Sequence, residues 1–417
     1  MDTARTEPGG VAREEEMKAT LPVLLRRAVE QGGSDLHLTS GTPPRIRVHG
    51  ELVPQDDLDP LSAADTKRLV YSGLSDAQRR RFEATLELDC AFPVPGVARV
   101  RANIFGQRGE VAAVYRLIPD RIRAFETLGL PPVVASLVER PHGLVLVTGP
   151  AGCGKSTTLA ALVDRVNSRR RGHILTIEDP VEYVHRHRRS VVNQREVGTD
   201  TAGFAPALRA VLREDPDVVL IGEIRDLETT EAALRIAETG HLTLATLHTG
   251  SAVQTITRIV DLFPAHQQPL ARTQLAMVLE GVICQRLLPT PDGRGRVCAA
   301  EVLIASPTVR NLIRDDRLHQ VYSAMQAGQE ALGMRTLSQS LAALCARGLV
   351  AREQALAHAS NREELRALLD RRRAAAAGIG AERARSGSKS VLADGDEGAP
   401  ASRGKPRGRW PPASGRA

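Results

Sequence analysis

The sequence predicts an α/β fold in which a small α+β domain precedes a parallel-sheet core and a helical subdomain. Up to about residue 120, short segments of alternating apolar and polar residues predict strands between two helices. After residue 142, continuous apolar runs alternate with helical patterns, which is typical of a buried parallel sheet. From Ser306 to about Leu369 the pattern is helical throughout.

Composition and patterning together divide the chain into six segments. They are a polar leader (1–16) expected to be disordered, an N-terminal domain (17–120), a linker (121–142), a core (143–305), a helical subdomain (306–370) and a basic tail (371–417). The tail contains eleven Lys or Arg and four Asp or Glu, so it carries the whole net charge of +7. Because the tail lacks periodic apolar residues, we expect it to be disordered.

The composition argues against several classes of protein. No apolar run approaches the ~20 residues that a membrane-spanning helix needs, and the polar N-terminus does not resemble a signal peptide. We therefore expect a cytoplasmic protein. The five cysteines form no CxxC pair, which argues against a disulfide framework and a structural zinc. The neutral body and an aromatic content of 3% argue against a nucleic-acid partner.

Local patterns predict the individual elements of the two larger domains. In the N-terminal domain they are helices over residues 17–30 and 61–86, strands over residues 35–39 and 45–49, and a pair of strands within residues 88–117. In the core, the apolar runs that predict strands are residues 144–147, 174–177, 218–221 and 242–245. A short helix flanked by prolines is expected in the linker.

The first core strand leads into a glycine-rich loop. Residues 149–156 fit G-x-x-x-x-G-K-[ST] at every fixed position, with a strand before them and a helical pattern after them. Backbone N–H groups of such a loop point at phosphate oxygens, at the positive end of a helix dipole. Lys155 would reach the β- and γ-phosphates, and the Ser156 hydroxyl would bind Mg²⁺. The residues expected to hold ATP are Gly149, Pro150, Ala151, Gly152, Cys153, Gly154, Lys155, Ser156 and Thr157.

Three further segments with acidic and histidine residues are expected just past the carboxyl ends of the predicted strands. Open parallel sheets bind ligands at the carboxyl ends of their strands. An NTPase needs one carboxylate to orient the attacking water and another to hold hydrated Mg²⁺. Glu178 and Glu223 each follow a strand and form the natural pair, with Glu223 also expected to bind the metal. His241 and His248 are further catalytic candidates, although a purely structural role for them stays open.

These segments resemble the secretion-ATPase family, which includes type II secretion and pilus motors. Residues 212–226 read letter for letter like the family signature. Three further motifs of the family can be assigned: the Asp box surrounds Glu178, the Walker B motif covers residues 218–223, and the His box covers residues 240–248. Residues 308–315 are similar to the AIRNLIRE motif of retraction motors. The resemblance spans about residues 21–369. The departures, none of which removes a charged catalytic group, are Ala151, Cys153, Gly250, Thr308 and Asp315.

The resemblance implies a fold and a mechanical function. It implies a PAS-like N-terminal domain, a RecA-like core and a homohexamer that hydrolyses ATP at subunit interfaces. Such a ring would lie at the cytoplasmic face of the inner membrane and turn a pilus platform protein, which powers pilus retraction. Arg101 and Arg116 match family arginines that reach the γ-phosphate, and Arg108 is a weaker third. In the retraction-like motif, we expect Arg310 and Arg314 to face a neighbour or partner.

Three other functions are considered at this point. A pilus assembly or type II secretion ATPase is the nearest alternative, but such proteins usually carry a four-cysteine zinc insertion that this sequence lacks. A RecA-type nucleic-acid motor is disfavoured by the neutral body. A small-molecule kinase would require phosphate transfer to an acceptor other than water.

Overall fold

The computed structural model describes residues 20–48, 50–118, 121–293 and 295–371, and its first feature is an antiparallel sheet. The predicted leader, the start of the first predicted helix and the basic tail beyond Arg371 lie outside the described residues. The strands of this N-terminal sheet are β1 (Asp35–Leu38), β2 (Arg45–Val48), β3 (Glu51–Pro54), β4 (Glu87–Val94), β5 (Ala98–Gln107) and β6 (Glu110–Ile118). They are hydrogen-bonded in the order β3-β2-β1-β6-β5-β4.

Three helices pack on one face of the N-terminal sheet. They are α1 (Leu21–Glu30), α2 (Ala63–Ser72) and α3 (Asp76–Thr85). Successive side chains of a strand point to opposite faces, and β5 follows this rule. Val100, Ala102 and Ile104 belong to the buried cluster that includes the helices, whereas Arg99 and Arg101 lie on the other face and are only partly buried. That second face of the sheet is therefore polar, and none of these three helices covers it, so it can contact the core.

The predicted single helix over residues 61–86 is wrong, because Gly73 interrupts it. A Cβ atom at Gly73 would lie 2.9 Å from Leu21 and 3.0 Å from Phe92, so the tight packing there favours glycine. Ser75 then begins α3 with a capping box, in which its side chain and that of the third helical residue each accept a backbone N–H.

The predicted pair of strands within residues 88–117 proves to be three strands. The chain reverses between β5 and β6 at Arg108 and Gly109, whose φ angles of 49° and 79° are the left-handed values of a two-residue hairpin turn. The strand β3 was not predicted. Three of its four residues are exposed, so it carries no alternation of buried and exposed positions.

A seven-stranded sheet forms the core of the molecule. Its strands are β7 (Gly143–Thr148), β8 (His173–Glu178), β9 (Val191–Glu196), β10 (Val218–Ile221), β11 (Leu242–Leu247), β12 (Leu279–Pro289) and β13 (Arg296–Ile304). They run in the order β13-β12-β7-β11-β10-β8-β9, and every neighbouring pair is parallel except β12 with β13. The four predicted strands are confirmed as β7, β8, β10 and β11, whereas β9, β12 and β13 were not predicted.

Helices cover both faces of the core sheet. They are α4 (Pro132–Leu137), α5 (Lys155–Arg169), α6 (Phe204–Val211), α7 (Leu227–Glu238), α8 (Ala252–Asp261) and α9 (Gln268–Val278). Leu144 and Leu146 of β7 belong to the cluster that contains α6 to α9, whereas Val145 and Val147 belong to the cluster that contains α4 and α5. A strand buried on both faces explains the continuous apolar run in the sequence.

The segment expected to be a linker packs onto the core. It contains a 3₁₀ turn (Phe125–Thr127) and α4. Phe125, Val134 and Leu137 are buried in the same cluster as Leu162 of α5. These contacts fix the segment against the sheet over much of its length.

The helical character of the C-terminal region is confirmed. Its helices are α10 (Pro307–Arg314), α11 (Val321–Ala327), α12 (Gln329–Leu332), α13 (Leu337–Ala346) and α14 (Arg352–His358), with a 3₁₀ turn (Leu318–Gln320) and a last helical stretch over residues 362–371. Leu341 and Leu365 pack with Leu288 of β12 and Ala299 of β13. Among the described residues, no helix is both long and apolar enough to cross a membrane. The layers confirm the predicted α/β fold class.

A buried carboxylate joins the C-terminal helices to the core, and its removal should destabilise the protein. Glu301 is 3% exposed and accepts the backbone N–H groups of Ala252 (2.7 Å) and Leu337 (3.3 Å), the first residues of α8 and α13. Glu301→Ala leaves both N–H groups unpaired, so we expect urea denaturation to show a loss of about 2 to 5 kcal/mol. Glu301→Gln, which keeps one acceptor oxygen, should lose less.

The control for this measurement is Glu238→Ala, which removes an exposed carboxylate and should change the free energy of unfolding by less than about 0.5 kcal/mol. Equal stability of Glu301→Ala and the control would contradict a structural role for Glu301.

Candidate active site

The glycine-rich loop, residues 149–156, begins at the carboxyl end of β7 and leads into α5. Gly149, Gly152 and Gly154 have φ angles of 139°, 73° and 92°, which L-residues with side chains rarely adopt. A Cβ atom at Gly149 would also lie 2.4 Å from the carbonyl oxygen of Gln285. The glycines thus let the backbone turn tightly against β12 while its N–H groups remain near the start of α5.

Lys155, the first residue of α5, folds back over the loop. Its Nζ donates hydrogen bonds to the carbonyl oxygens of Gly149 (3.0 Å) and Pro150 (3.1 Å). Beneath the loop, Cys153 is buried, and this burial raises the pKa of its thiol. A protonated, buried thiol is a poor nucleophile, so Cys153 fills space beneath the loop.

A cleft of about 280 Å³ opens at the carboxyl edge of the core sheet. The predicted site residues that line it are Arg101, Arg116, Ala151, Gly152, Lys155, Ser156, Glu178, Glu223 and His248. The other predicted loop residues, Gly149, Pro150, Cys153, Gly154 and Thr157, belong to the same turn and to the first residues of α5. Residues from six separate segments therefore meet at one cleft.

Glu178, the last residue of β8, is held by two side chains. Thr176 Oγ1 and Gln194 Nε2 donate to its Oε1 at 2.8 Å and 3.1 Å. Burial raises the pKa of Glu178, and these two hydrogen bonds oppose that rise. A carboxylate fixed in this way has little freedom to turn.

Glu223 follows β10 and contacts two basic side chains. Arg225 Nη2 lies 2.6 Å from its Oε1, and His248 Nε2 lies 3.8 Å from its Oε2. Burial and the nearby charge of Lys155 lower the pKa of His248, so this imidazole is neutral near pH 7. His248 is therefore placed to accept or donate a hydrogen bond beside the carboxylate rather than to supply a fixed charge.

The N-terminal sheet supplies two arginines to the cleft. Arg101 of β5 pairs with Asp89 at 3.0 Å and lies 3.9 Å from Glu182. Arg116 of β6 pairs with Asp35 at 3.0 Å. Both arginines line the same cleft as the phosphate-binding loop of their own chain.

Two other candidates lie elsewhere. His241 precedes β11, and its carbonyl oxygen accepts the N–H of Gly143 at the start of β7, so it lies at the edge of the sheet opposite the cleft. Its Nδ1 is 3.1 Å from the carbonyl oxygen of Ile236. Arg108 occupies the exposed turn between β5 and β6. Within one chain, neither residue reaches the cleft, so a catalytic role for either stays a prediction without local support.

Sequence reasoning missed several residues of the cleft. Tyr183 places its hydroxyl 3.0 Å from Thr157 Oγ1, Gln194 orients Glu178, and Arg225 contacts Glu223. His185 also lines the cleft although it is only 7% exposed. Tyr183 and His185 follow the acidic segment by a few residues, so their nearness in sequence was the available signal. Gln194 lies on the unpredicted strand β9 and gave none.

Comparison with known proteins agrees with this geometry. The model of the family described as "Type II/IV secretion system protein" matches residues 15–378. The chain belongs to this family. A Pseudomonas aeruginosa protein named "Type IV pilus retractation ATPase PilT" is 51% identical over 332 residues, which cover 80% of this chain and 96% of that protein. A "Twitching motility protein" of Neisseria gonorrhoeae is 48% identical over 322 residues, 77% of this chain and 86% of that protein.

A solved structure also resembles the chain. It is the crystal structure of the pilus retraction motor PilT with bound ADP, with 49% sequence identity and a TM-score of 0.78 over 84% of this chain and 99% of the other. The family match and the structural likeness confirm the resemblance that the motifs indicated. With its phosphate-binding loop intact, this member of the secretion ATPase family is an ATP hydrolase.

Removing the charge of either cleft carboxylate should slow hydrolysis. Glu223→Gln keeps the shape of the side chain but loses its negative charge, which we expect to act on Mg²⁺ and water. We expect ATP to bind while turnover falls by ~10² or more, as for the loss of one positioned catalytic group. Glu178→Gln should also be impaired. ATPase and nucleotide-binding assays check both, with Glu126→Gln, an exposed ion-pair residue, as control. Normal turnover of Glu178→Gln beside an inactive Glu223→Gln would show that only one carboxylate acts.

The burial of His185 should make the folded protein sensitive to acid. Burial and the charge of Arg188 lower the pKa of His185 from 6.5 to about 4. Since the unfolded chain binds the proton at higher pH, the stabilising contribution is complete above pH 6.5 and is lost as the pH falls towards 4. Between pH 7 and pH 5 the wild type should lose about 2 kcal/mol more than His185→Leu. Urea denaturation at both pH values measures this difference, and parallel pH dependences would contradict it.

Proposed function

We propose that this protein is the ATPase motor that retracts type IV pili and drives twitching motility. Six identical subunits form a ring, and each hydrolyses ATP at a subunit interface while the ring acts on a platform protein at the cytoplasmic face of the inner membrane. The observation that carries the proposal is the identity of about half of all residues with a retraction ATPase along almost its whole length. The division into a PAS-like domain, linker, core, helical subdomain and tail belongs to the same proposal.

The cleft supports hydrolysis through residues with distinct roles. The loop N–H groups and Lys155 bind the phosphates, and Lys155 would exchange its two carbonyl partners for phosphate oxygens. Glu178, held by Thr176 and Gln194, orients the attacking water. Arg101 and Arg116 stabilise the charge that develops on the γ-phosphate, in the manner of arginine fingers.

The oxygen atoms near the loop fit a magnesium ion. Ser156 and Glu223 both line the cleft, and a hydroxyl and a carboxylate are ligands that Mg²⁺ accepts. The described part of the chain contains no cluster of three or more His, Cys, Asp or Glu that could hold a metal by itself. Phosphate oxygens and water would therefore complete the six ligands, as is usual for nucleotide-bound Mg²⁺. The ion would supply positive charge between the β- and γ-phosphates.

The retraction-like motif on α10 has a structure that partly differs from our expectation. Ile313 is buried in the core cluster, and Leu312 packs against that cluster. Arg310, however, does not face a partner. Its guanidinium donates to the carbonyl oxygens of Ala305, Ala276 and Met277 and pairs with Glu280 at 2.7 Å. Arg310 thus provides hydrogen-bond donors for the carbonyl groups at the carboxyl end of α9. The sequence alone did not reveal this structural role, because these acceptors lie some thirty residues away along the chain.

The exposed side of α10 provides the test of retraction. Asn311 and Arg314 are exposed, and Arg314 donates to Asn311 at 2.8 Å. We expect the double variant Asn311→Ala with Arg314→Ala to fold and to hydrolyse ATP at the wild-type rate, yet to leave cells piliated and non-motile. Pilus counts and twitching zones of a complemented deletion strain measure this. Arg310→Ala should instead lower the free energy of unfolding, because it removes the donor to three carbonyl groups and one of the two arginines that pair with Glu280.

The control for the motility assay is Arg347→Ala, an exposed arginine at the end of α13, which should twitch normally. Normal twitching of the double variant would remove α10 from the retraction mechanism. Normal pili and motility in the deletion strain would contradict the proposed function as a whole.

A further inference from the structure

The two arginines of the cleft belong to a row of four charged residues across the N-terminal sheet. Asp35 of β1 is the direct register partner of Arg116 on β6, and Arg116 is the direct partner of Arg101 on β5. On β4, Asp89 is opposite Asn103, two residues from Arg101 along β5. Since register partners and residues two apart share a face, all four side chains lie on the polar face that carries the cleft arginines.

The order of charges in this row is acid, base, base, acid. Like charges directly opposite each other on a sheet are unfavourable, and Arg101 and Arg116 are such a pair. Each arginine contacts a carboxylate on its outer side: Arg116 contacts Asp35 and Arg101 contacts Asp89. The two carboxylates therefore compensate a repulsion that the sheet register imposes.

Arg116 contacts Asp35 through Nε, which leaves the two terminal nitrogens of its guanidinium available. Its Nε donates to Asp35 Oδ1 at 3.0 Å, while the Arg116 side chain is 70% exposed. Asp35 is only 6% exposed and also accepts a hydrogen bond from Ser34 Oγ at 2.7 Å. A fixed acceptor at Nε sets the direction of the guanidinium plane of Arg116, a residue that lines the cleft.

The Arg101 contact has a similar geometry. Nε and Nη2 donate to the two oxygens of Asp89 at 3.3 Å and 3.0 Å. Nη1 is directed towards the core, where Glu182 lies 3.9 Å away. One edge of the guanidinium is thus held by the N-terminal sheet, and the remaining nitrogen lies on the side of Glu182, which lines the cleft together with Arg101 and the phosphate-binding loop.

We propose that Asp35 and Asp89 are positioning residues, which hold Arg116 and Arg101 so that their terminal nitrogens meet the γ-phosphate of bound ATP. This inference rests on the proposed finger role of the two arginines and assigns the carboxylates that direct them. Stability alone does not account for the row. An ion pair with so exposed an arginine contributes little to folding, whereas keeping the Asp35 carboxylate buried has a desolvation cost.

The experiment is a double-mutant cycle on ATP turnover. Asp35→Asn removes the charge and keeps the shape. We expect kcat to fall by ~10-fold or more, because a misdirected arginine stabilises the transition state poorly. ADP affinity should stay at the wild-type value, since the arginine faces only the γ-phosphate. In an Arg116→Ala background, Asp35→Asn should cause no further loss of kcat beyond about twofold, since it acts only through Arg116.

Three further variants complete the design. Asp89→Asn should behave in the same way towards Arg101→Ala. Asp35→Glu, which restores the charge, should recover part of the lost kcat. Asp57→Asn is the matched control, because Asp57 pairs with Arg27 at an exposed site in the same sheet domain; its kcat should equal that of the wild type. Urea denaturation midpoints of all variants separate misfolding from a loss of turnover.

The outcomes distinguish the inference from the function on which it rests. Wild-type kcat for both Asp35→Asn and Asp89→Asn, with impaired arginine variants, would overturn the positioning role alone. Losses that add fully to those of the arginine variants would overturn it too. Wild-type kcat for Arg116→Ala and Arg101→Ala would instead overturn the finger assignment. If Asp35→Asn does not fold, the cycle on Asp89, whose side chain is half exposed, decides the question.

Discussion

The shared register of four parallel strands is the constraint on which the active site depends. Thr148 of β7 is level with Leu247 of β11, and Ile221 of β10 is level with Ala245 of β11 and with Ile177 of β8. The next residues along each strand therefore emerge at one edge, and they include the phosphate-binding loop, His248, Glu223 and Glu178. A one-residue slip of β10 would exchange the side chains that face the two helix layers and would carry Glu223 away from the loop.

A second constraint joins the N-terminal sheet to this edge. The two-residue period of β5 places apolar side chains against α1 and α2 and leaves its arginines on the opposite face. Arg99 uses this position to bind the core: it donates to the carbonyl oxygen of Val181 at 2.9 Å and to Glu196 at 3.0 Å. Glu196 in turn accepts the N–H of Val181. Two residues further along β5, the same face presents Arg101 to the cleft, so docking and catalysis share one strand.

The features that the sequence predicted are those with a local signal. The four central strands are apolar on both faces, and the phosphate-binding loop is defined within eight consecutive residues. The strand β9 was missed because only two of its six residues are buried, and β12 because it follows α9 without a break. Arg310 was assigned to a partner because its acceptors lie on α9 and at Glu280, which only the tertiary structure brings near. His241 comes directly before the strand β11 rather than after it, which was visible in the sequence. A residue at the amino end of a parallel strand lies at the edge of the sheet opposite the cleft.

In the described part of the chain, the cations around the cleft already have internal partners. Lys155 contacts carbonyl oxygens of its own loop, Arg225 contacts Glu223, and the two sheet arginines contact aspartates. These partners differ in what ATP and Mg²⁺ can displace. Phosphate oxygens bind an ammonium more strongly than neutral carbonyl groups do, so bound ATP would draw Lys155 away from its loop carbonyls, and Mg²⁺ at Glu223 would compete with Arg225 for the carboxylate. The aspartates contact the sheet arginines on the outer side of the row, so the proposed finger role does not require their displacement. We therefore expect nucleotide binding to rearrange the core side of the cleft and to leave the ion pairs on the N-terminal sheet intact.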